Sequence, residues 1–365
     1  MLNHLHLMEA LRIFKRARRV NRQGFRKFNG NAEEISSEIV RQCFNGTFFQ
    51  TSIGHFNQFY IRDFAYSITP LMNLGYQKEV RKTLEYALYI FSKEKVLANA
   101  ITPSGKPVHI FTYCPDSLPL LLYSIRKSKA DYLVKKYKRF IEAQVRYYYE
   151  NVFDEKKGIV KNRRFSSIKD NAIRQRACYD NSMLIMLSDE LSNLGIQNPF
   201  TNYNLREIMK KKYWTGQYFL EDLSGKKNIA GDAQVFPFWC NVFNDKKMKK
   251  RAIAKVKEKR LDTPLPLKYT ETKNEIKVMF PLNIILSDYE TNTIWLHLGL
   301  CFLDILDSKK ELGKHLKNLE ELIERTKTFP EVLEPNGEIF KKFHYVSDEG
   351  MLWAAKYLHL KKSIK

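Results

Sequence analysis

The 365-residue chain holds no apolar run approaching the roughly 18 residues that crossing a bilayer requires. Near its start, Arg12 and Lys15 interrupt the apolar stretch that a signal peptide would need. The expectation is a soluble, cytoplasmic protein. Cysteine is sparse as well: Cys43, Cys114, Cys178, Cys240 and Cys301 are five, an odd number, far apart, with neither a CxxC nor a Cys/His ligand spacing. That argues against a disulfide framework and a structural zinc, and fits reduced, mostly buried thiols. Strict apolar–polar alternation is scarce, Glu275–Phe280 being the best short case. No Gly/Ser-rich or Pro-rich linker interrupts the chain, so it reads as one domain over 1–365, with 1–30 as a basic extension. Acidic residues are in deficit, 40 against 62 basic ones, which leaves a formal charge of +22. The surplus concentrates at Lys15, Arg16, Arg18, Arg19, Arg22, Arg26 and Lys27. Such a cluster fits a polyanion partner or a solvated basic surface, and it bears on partners rather than fold.

What is abundant is apolar and aromatic. Hydrophobic residues make up 44% and aromatics 13%, enough for a large core and incompatible with wholesale disorder. Most of the 24 Phe and 20 Tyr must fill that core, although a sugar cleft also needs aromatic faces. The apolar period is that of helices: Ile35, Ile39, Val40 and Phe44 form one stripe, and Val80, Leu84, Ala87, Leu88 and Phe91 another. Similar patterns cover 62–74, 116–128, 130–150, 178–194, 204–212, 232–243, 245–258, 289–307, 309–327 and 347–360. Gly75, Gly195 and Gly313 sit where a helix could stop, and Asn198-Pro199, Pro264 and Pro266 mark loops. About twelve helices in pairs describe an all-α protein of six helical hairpins. The inner layer would be 62–74, 116–128, 178–194, 232–243, 289–307 and 347–360.

Four junctions have an unusual composition for connectors. Tyr60-Ile61-Arg62-Asp63-Phe64 opens a helix; Asp63 there fits a carboxylate favoured by the helix dipole, or, with Arg62, a pair that grips sugar hydroxyls. Phe165 to Asn171 places Asp170 in a loop ahead of an apolar helix, where a solvated Asp is the plain alternative. Phe329-Pro330-Glu331 precedes Glu334 and the turn Pro335-Asn336-Gly337, so two glutamates of a polar turn are the plain reading. Tyr289 to Gly299 carries Trp295 and His297 in an apolar segment, where packing is the usual role of such residues.

In this order the segments resemble the six-hairpin glycosidase superfamily: neutral invertases, glucoamylase-like enzymes, processing α-glucosidases and debranching amylo-α-1,6-glucosidase domains. Tyr60 to Phe64 is similar to the group's aromatic-x-Arg-Asp helix start. Lys169-Asp170-Asn171 and Tyr179-Asp180-Asn181 are similar to its mid-chain acid loop and inner helix. Gly231-Asp232-Ala233, Thr293 to Gly299, and Phe329-Pro330-Glu331 with Ser347 to Ala355 complete the match over about residues 54–358. Each motif alone is weak, and the chain departs in having Trp295-Leu296 where processing glucosidases have Trp-Pro.

The resemblance implies an (α/α)6 toroid and a glycoside hydrolase that uses two carboxylates, inverting as most such relatives do, with an α-glucoside-type bond as the family default. It points to Asp170 as general acid, with Asp180 as second choice, and to Glu331, over Glu334, as the base that activates water. Tyr60, Arg62, Asp63, Asp116, Asp232, Trp295 and His297 would bind the substrate, an oligosaccharide or other glycoside. No metal or organic cofactor is implied, and nucleic acid is disfavoured as a partner. A phosphorylase on the same scaffold, or a basic helical scaffold that binds a polyanion without catalysis, are the alternative readings.

Overall fold

The structure, a computed structural model, describes residues 4–273, 277 and 288–364, with backbone only for 4–10. The strand expected at Glu275–Phe280 therefore lies, apart from Lys277, outside the described residues.

The described helices are α1 (His4–Gln23), α2 (Ala32–Cys43), α3 (Ile61–Asn73), α4 (Gln77–Glu94), α5 (Ser117–Lys127), α6 (Tyr132–Lys136), α7 (Lys138–Asn151), α8 (Cys178–Asn193), α9 (Leu205–Tyr213), α10 (Gly231–Trp239), α11 (Lys246–Glu258), α12 (Leu296–Asp304), α13 (Lys309–Thr326) and α14 (Ala354–Ile364). Contacts run from α3 to α5, α8, α10, α12 and α14, and from α14 back to α3, which closes a ring of six. In sequence each ring helix follows an outer one, and α2, α4, α9, α11 and α13 pack against the ring. This is the expected all-α (α/α)6 toroid.

Side-chain pattern separates the two layers. Gly231–Phe238 of α10 and Leu296–Leu303 of α12 are buried on every face, as helices packed on both sides must be. Outer helices carry one apolar stripe instead. In α13 it is Leu312, Leu316, Leu319, Leu322 and Ile323. Polar caps start the outer helices: Asn31 and Glu34 form a reciprocal capping box on α2, and Ser308 and Asp245 cap α13 and α11.

Gly75 and Gly195 follow helices at positive φ, as expected of stop signals. Gly313 does not stop its helix: α13 runs through it. One interior glycine costs about 1 kcal/mol, whereas each fully buried leucine of the stripe contributes about 1.5–3. Two expected inner helices also start late. Residues 289–295 form a turn and strand β6 (Ile294–Trp295), which pairs antiparallel with β7 (Val332–Leu333), so α12 begins only at Leu296. Residues 347–353 make long-range backbone bonds, Leu352 N–H to Thr51 and Met351 N–H to Phe329, before α14 begins. Three short strands, β1 (Phe59–Tyr60), β2 (Ala100–Ile101) and β3 (Pro107–Val108), form a sheet from which α3 directly departs, and β4 (Phe153–Asp154) pairs with β5 (Ile159–Val160).

Leu298 is fully buried in the ring helix α12. Leu298→Ala is expected to cost about 2–5 kcal/mol in urea denaturation. A loss below about 1 kcal/mol would contradict a ring packed on both faces.

Candidate active site

The first turns of the ring helices meet at one end of the toroid, and the charged residues sit there. Tyr60 is extended and α3 starts one residue later, which delivers Arg62 and Asp63 in its first turn. The buried Arg62 donates through Nε to Asp116 at 2.7 Å, and its Nη2 lies 3.7 Å from Asp170 Oδ1. Asp116 also accepts from the Tyr179 hydroxyl at 2.9 Å, which lies 2.8 Å from that of Tyr66. Asp63 accepts from the Trp353 indole at 3.0 Å. Burial pushes the Asp63 carboxyl up to about 6, against the pull of Arg62 and Trp353.

Asp170 rides on a loop that another carboxylate holds. Glu290 accepts the main-chain N–H groups of Asp170 and Asn171 at 2.7 Å and of Ala172 at 3.1 Å. The Tyr269 hydroxyl donates to the Ile168 carbonyl at 2.8 Å, and Arg164 to the Asp170 carbonyl at 3.0 Å. Burial raises Asp170 to about 6, with Arg62 opposing and Asp116 adding to the rise. Burial likewise raises Glu290 to about 7, with Asp170 adding to it. The Asp170 side chain remains 24% exposed. Asp180, in the first turn of α8, is only 4% exposed and is pushed to about 7 by burial, against the pull of Arg174.

Glu331 is sealed differently. Tyr289 and Tyr345 each donate a hydroxyl to it at 2.6 Å, and the Asp348 N–H donates at 2.9 Å. Burial still raises its carboxyl to about 7, against those three donors. The Leu296 N–H bonds the Glu331 carbonyl at 3.3 Å, which ties the residue to the start of α12. Glu334 is half-buried, 3.5 Å from Lys342. The Trp295 ring meets Tyr289 at 4.7 Å and His297 at 5.2 Å, and its indole donates to the Tyr289 carbonyl. His297 lies against Trp353 at 4.9 Å and Tyr66 at 6.0 Å; burial, then Arg62 and Lys356, keep it well below the usual histidine range and neutral. Aromatic contacts thus run from Trp353, which holds Asp63, through His297 and Trp295 to Tyr289, which holds Glu331.

Asp116 and Asp232 are buried and engaged. Asp232 takes Arg174 at 3.0 Å and Lys169 at 3.2 Å, and Lys169 also reaches Glu221 at 2.5 Å. They anchor Arg62 and the Asp170 loop from beneath. Tyr60 meets Phe56 edge-on at 5.8 Å. Sequence reasoning missed Tyr289, Glu290, Arg164, Arg174, Tyr345 and Asp348. Tyr289 and Glu290 stand in the segment that raised Trp295 and His297, but nothing in their residue type marks them. Among the described residues, the donors close enough to share a metal ion are Asp262, Glu311 and His315, within 4.8 Å of one another. They lie beyond α11 and on the outer helix α13, and Lys257 already pairs with Glu311 at 2.7 Å.

No protein-family model matches the sequence, and no curated protein does. Solved structures do. A glutamate-to-alanine variant of a glycosidase, in complex with glucose, aligns over 100% of this chain and 99% of its own, with a TM-score of 0.62 at 11% identity. A wild-type glycosidase structure aligns over the same shares, with a TM-score of 0.61 at 13% identity. A GH63 mannosylglycerate hydrolase from Thermus thermophilus, in complex with Tris and D-glycerate, aligns over 91% of this chain and 100% of its own, with a TM-score of 0.61 at 10% identity. At these identities the likeness is one of fold: the chain has the six-hairpin glycosidase-like toroid. Among the described residues no helix is long and apolar enough to cross a membrane.

A carboxyl raised in the folded protein contributes stability that is full below its unfolded value and is lost as pH rises through its folded one. For Glu331 that window runs from about 4.5 to about 7. Glutamine does not titrate, so the stability of Glu331→Gln relative to the parent is expected to rise by up to about 3 kcal/mol across this window. Urea denaturation at a series of pH values measures it. A difference that stays flat with pH would contradict the buried, proton-holding carboxyl.

Proposed function

We propose that this chain is a glycoside hydrolase, working as a single (α/α)6 domain, that cleaves an α-glucoside-type bond of an oligosaccharide or small glycoside with inversion. The observation that carries the reading is the pair Tyr289-Glu290. Two consecutive side chains hold the two candidate catalytic groups, Glu290 by the backbone of Asp170 and Tyr289 by the carboxylate of Glu331. Residues 161 positions apart in sequence, 331 − 170, are thereby set on one frame. Both carboxyls are raised, to about 6 and about 7, as groups that trade protons near neutrality must be. The glycosidases of the same fold support the reaction class.

Hydrolysis needs a proton on the leaving oxygen and an activated water on the opposite face of the sugar. Asp170, protonated, donates the first; its exposure against that of Asp180 favours it, because an acid must reach its substrate. Glu331 in its ionised form takes a proton from the water. Its two tyrosine hydroxyls and one N–H favour the ionised form. With Asp170 raised to about 6 and Glu331 to about 7, this productive pairing is the minority protonation state and is most populated between the two values. Arg62 and Asp63 bind hydroxyls of the sugar to be released, the guanidinium donating and the carboxylate accepting. Trp295 offers an aromatic edge and His297 a neutral imidazole. Tyr60 contributes from the residue before α3, packed on Phe56, and Asp116 and Asp232 act through Arg62 and the Asp170 loop. The five cysteines are free and buried, which supports a cytoplasmic setting.

The test is a panel of oligosaccharides and small glycosides with released reducing sugar as readout, run with and without phosphate. Turnover independent of phosphate is expected. Asp170→Asn and Glu331→Gln should each lower kcat by about 10²–10⁴-fold with the fold intact by circular dichroism. Near-normal kcat in both variants would remove the mechanism; loss in Asp180→Asn but not in Asp170→Asn would transfer the acid role. The pH profile of kcat/KM should be bell-shaped, with limbs near 6 and 7. A profile flat from pH 5 to 8 would contradict the assignment.

A further inference from the structure

The basic N-terminal helix has two faces of different use. Lys15, Arg18, Arg19 and Arg22 are exposed, whereas Arg16 is buried against the loops that lead to α14. Ala17 and Val20 pack on Val346, and the Phe14 ring meets Phe343 at 6.4 Å and His344 at 6.1 Å. Arg12 bonds Asn57.

Arg16 spends its guanidinium on one cluster. Nη1 lies 3.0 Å from Asp348 Oδ1 and donates to His55 Nδ1 at 2.9 Å; Nη2 lies 2.7 Å from Glu349. His55, held down to about 4 chiefly by burial, is the neutral acceptor that this bond requires. Asp348 has no exposed surface. Its remaining donors are the N–H groups of His55 at 3.0 Å and Phe56 at 2.8 Å, and the Ser52 hydroxyl. Residue 54 must be glycine here, since a Cβ would collide with the Asp348 carboxylate. Arg16 is thus the cation that Asp348, an otherwise costly buried charge, is paired with. The backbone of Asp348 in turn holds Glu331 at both ends: its N–H donates to the carboxylate at 2.9 Å, and its carbonyl accepts the Glu331 N–H at 3.0 Å. Tyr345, three residues earlier, supplies another donor to the same carboxylate.

We propose that Arg16 is a positioning residue for Glu331, which makes the N-terminal helix part of the active site. By anchoring Asp348 it sets the Tyr345–Glu349 segment that aims the base. The inference rests on the reading of Glu331 as that base. The groups that face it are Tyr289, Tyr345 and Asp348; those that face Asp348 are Arg16, His55, Ser52 and, through Arg16, Glu349.

The experiment uses the full chain with Arg16→Ala, Arg16→Lys and, as a control on the exposed face, Arg22→Ala. Two readouts are taken: hydrolysis of α-glucosyl fluoride as a function of pH, and an isotope-edited infrared titration of Glu331, obtained by subtracting Glu331→Gln in each background. Arg16→Ala is expected to lower kcat by about 10–100-fold with KM held within about twofold, the pattern of a group that acts in the transition state. Its Glu331 titration should move upward by about half a pH unit or more, because a cation and well-aimed donors are lost. Arg16→Lys keeps the charge without the fork and should recover the titration better than kcat. Arg22→Ala should match the parent. A folded Arg16→Ala with the parent's kcat and titration would overturn the proposal. Where Arg16→Ala does not fold, Arg16→Lys decides by the same criterion. If the parent hydrolyses no α-glucosyl fluoride yet the titration moves in Arg16→Ala, the positioning stands and the α-glucoside reading falls.

Discussion

The site depends on one buried cation. Arg62 sits where the first turns of α3, α5 and α8 converge, and it meets Asp116 directly and Asp170 at longer range. Ring closure forces this encounter. Six inner helices that each follow an outer one bring their starts to one end, where free N–H groups and first-turn carboxylates such as Asp63, Asp180 and Asp232 accumulate away from water. Burial opposes the ionised form of Asp63, Asp170 and Asp180, and Arg62 pulls Asp63 and Asp170 the other way. Asp116, closest to it, takes the direct bond. Asp63 and Asp170 stay raised, near 6. A carboxyl that holds its proton to that pH and keeps part of its side chain exposed, as Asp170 does, is what acid catalysis of glycoside cleavage requires.

The candidate base, Glu331, is built on a different principle. Among the described residues no cation pairs with Glu331; it has neutral donors, two phenols and an amide, fixed by the strand pairing of β6 with β7 and by the segment around Asp348. The two halves communicate through Tyr289-Glu290 and through the ring contacts from Trp353 to His297 to Trp295. Lys169, Arg174, Asp232 and Glu221 form a further buried network beneath the Asp170 loop. Each of its charges is paired, as buried charges must be, and together they hold the loop that carries Asp170, the candidate acid.

Much of the fold was legible because the apolar period is a local property. Leu312 to Ile323 announce a helix whatever else the chain does, and the Ile35–Phe44 and Val80–Phe91 stripes do the same. Boundaries were legible only where a local signal set them. Leu296 could not be seen as a helix start, because the residues before it are withdrawn by a pairing with Val332-Leu333, which lie far along the chain. Gly313 shows the converse: it is a local stop signal inside the 309–327 pattern, and the packing of α13 outweighs its local preference. Within the site, Arg62, Asp63, Asp170 and Glu331 stood out because their motifs are contiguous. Glu290 and Arg16 did not. Glu290 acts on backbone N–H groups 118 to 120 residues away, and Arg16 on an aspartate 332 positions later, 348 − 16, so no local pattern marks either.

The central claim is that Asp170 and Glu331 work on opposite faces of one sugar, the acid on the leaving oxygen and the base on water. The anomeric configuration of the first product released, followed by proton NMR before mutarotation, tests it most directly. Inversion is expected: a β-configured sugar from an α-linked substrate. Release of the α-anomer would contradict it, because retention requires one of the two carboxylates to attack the sugar itself.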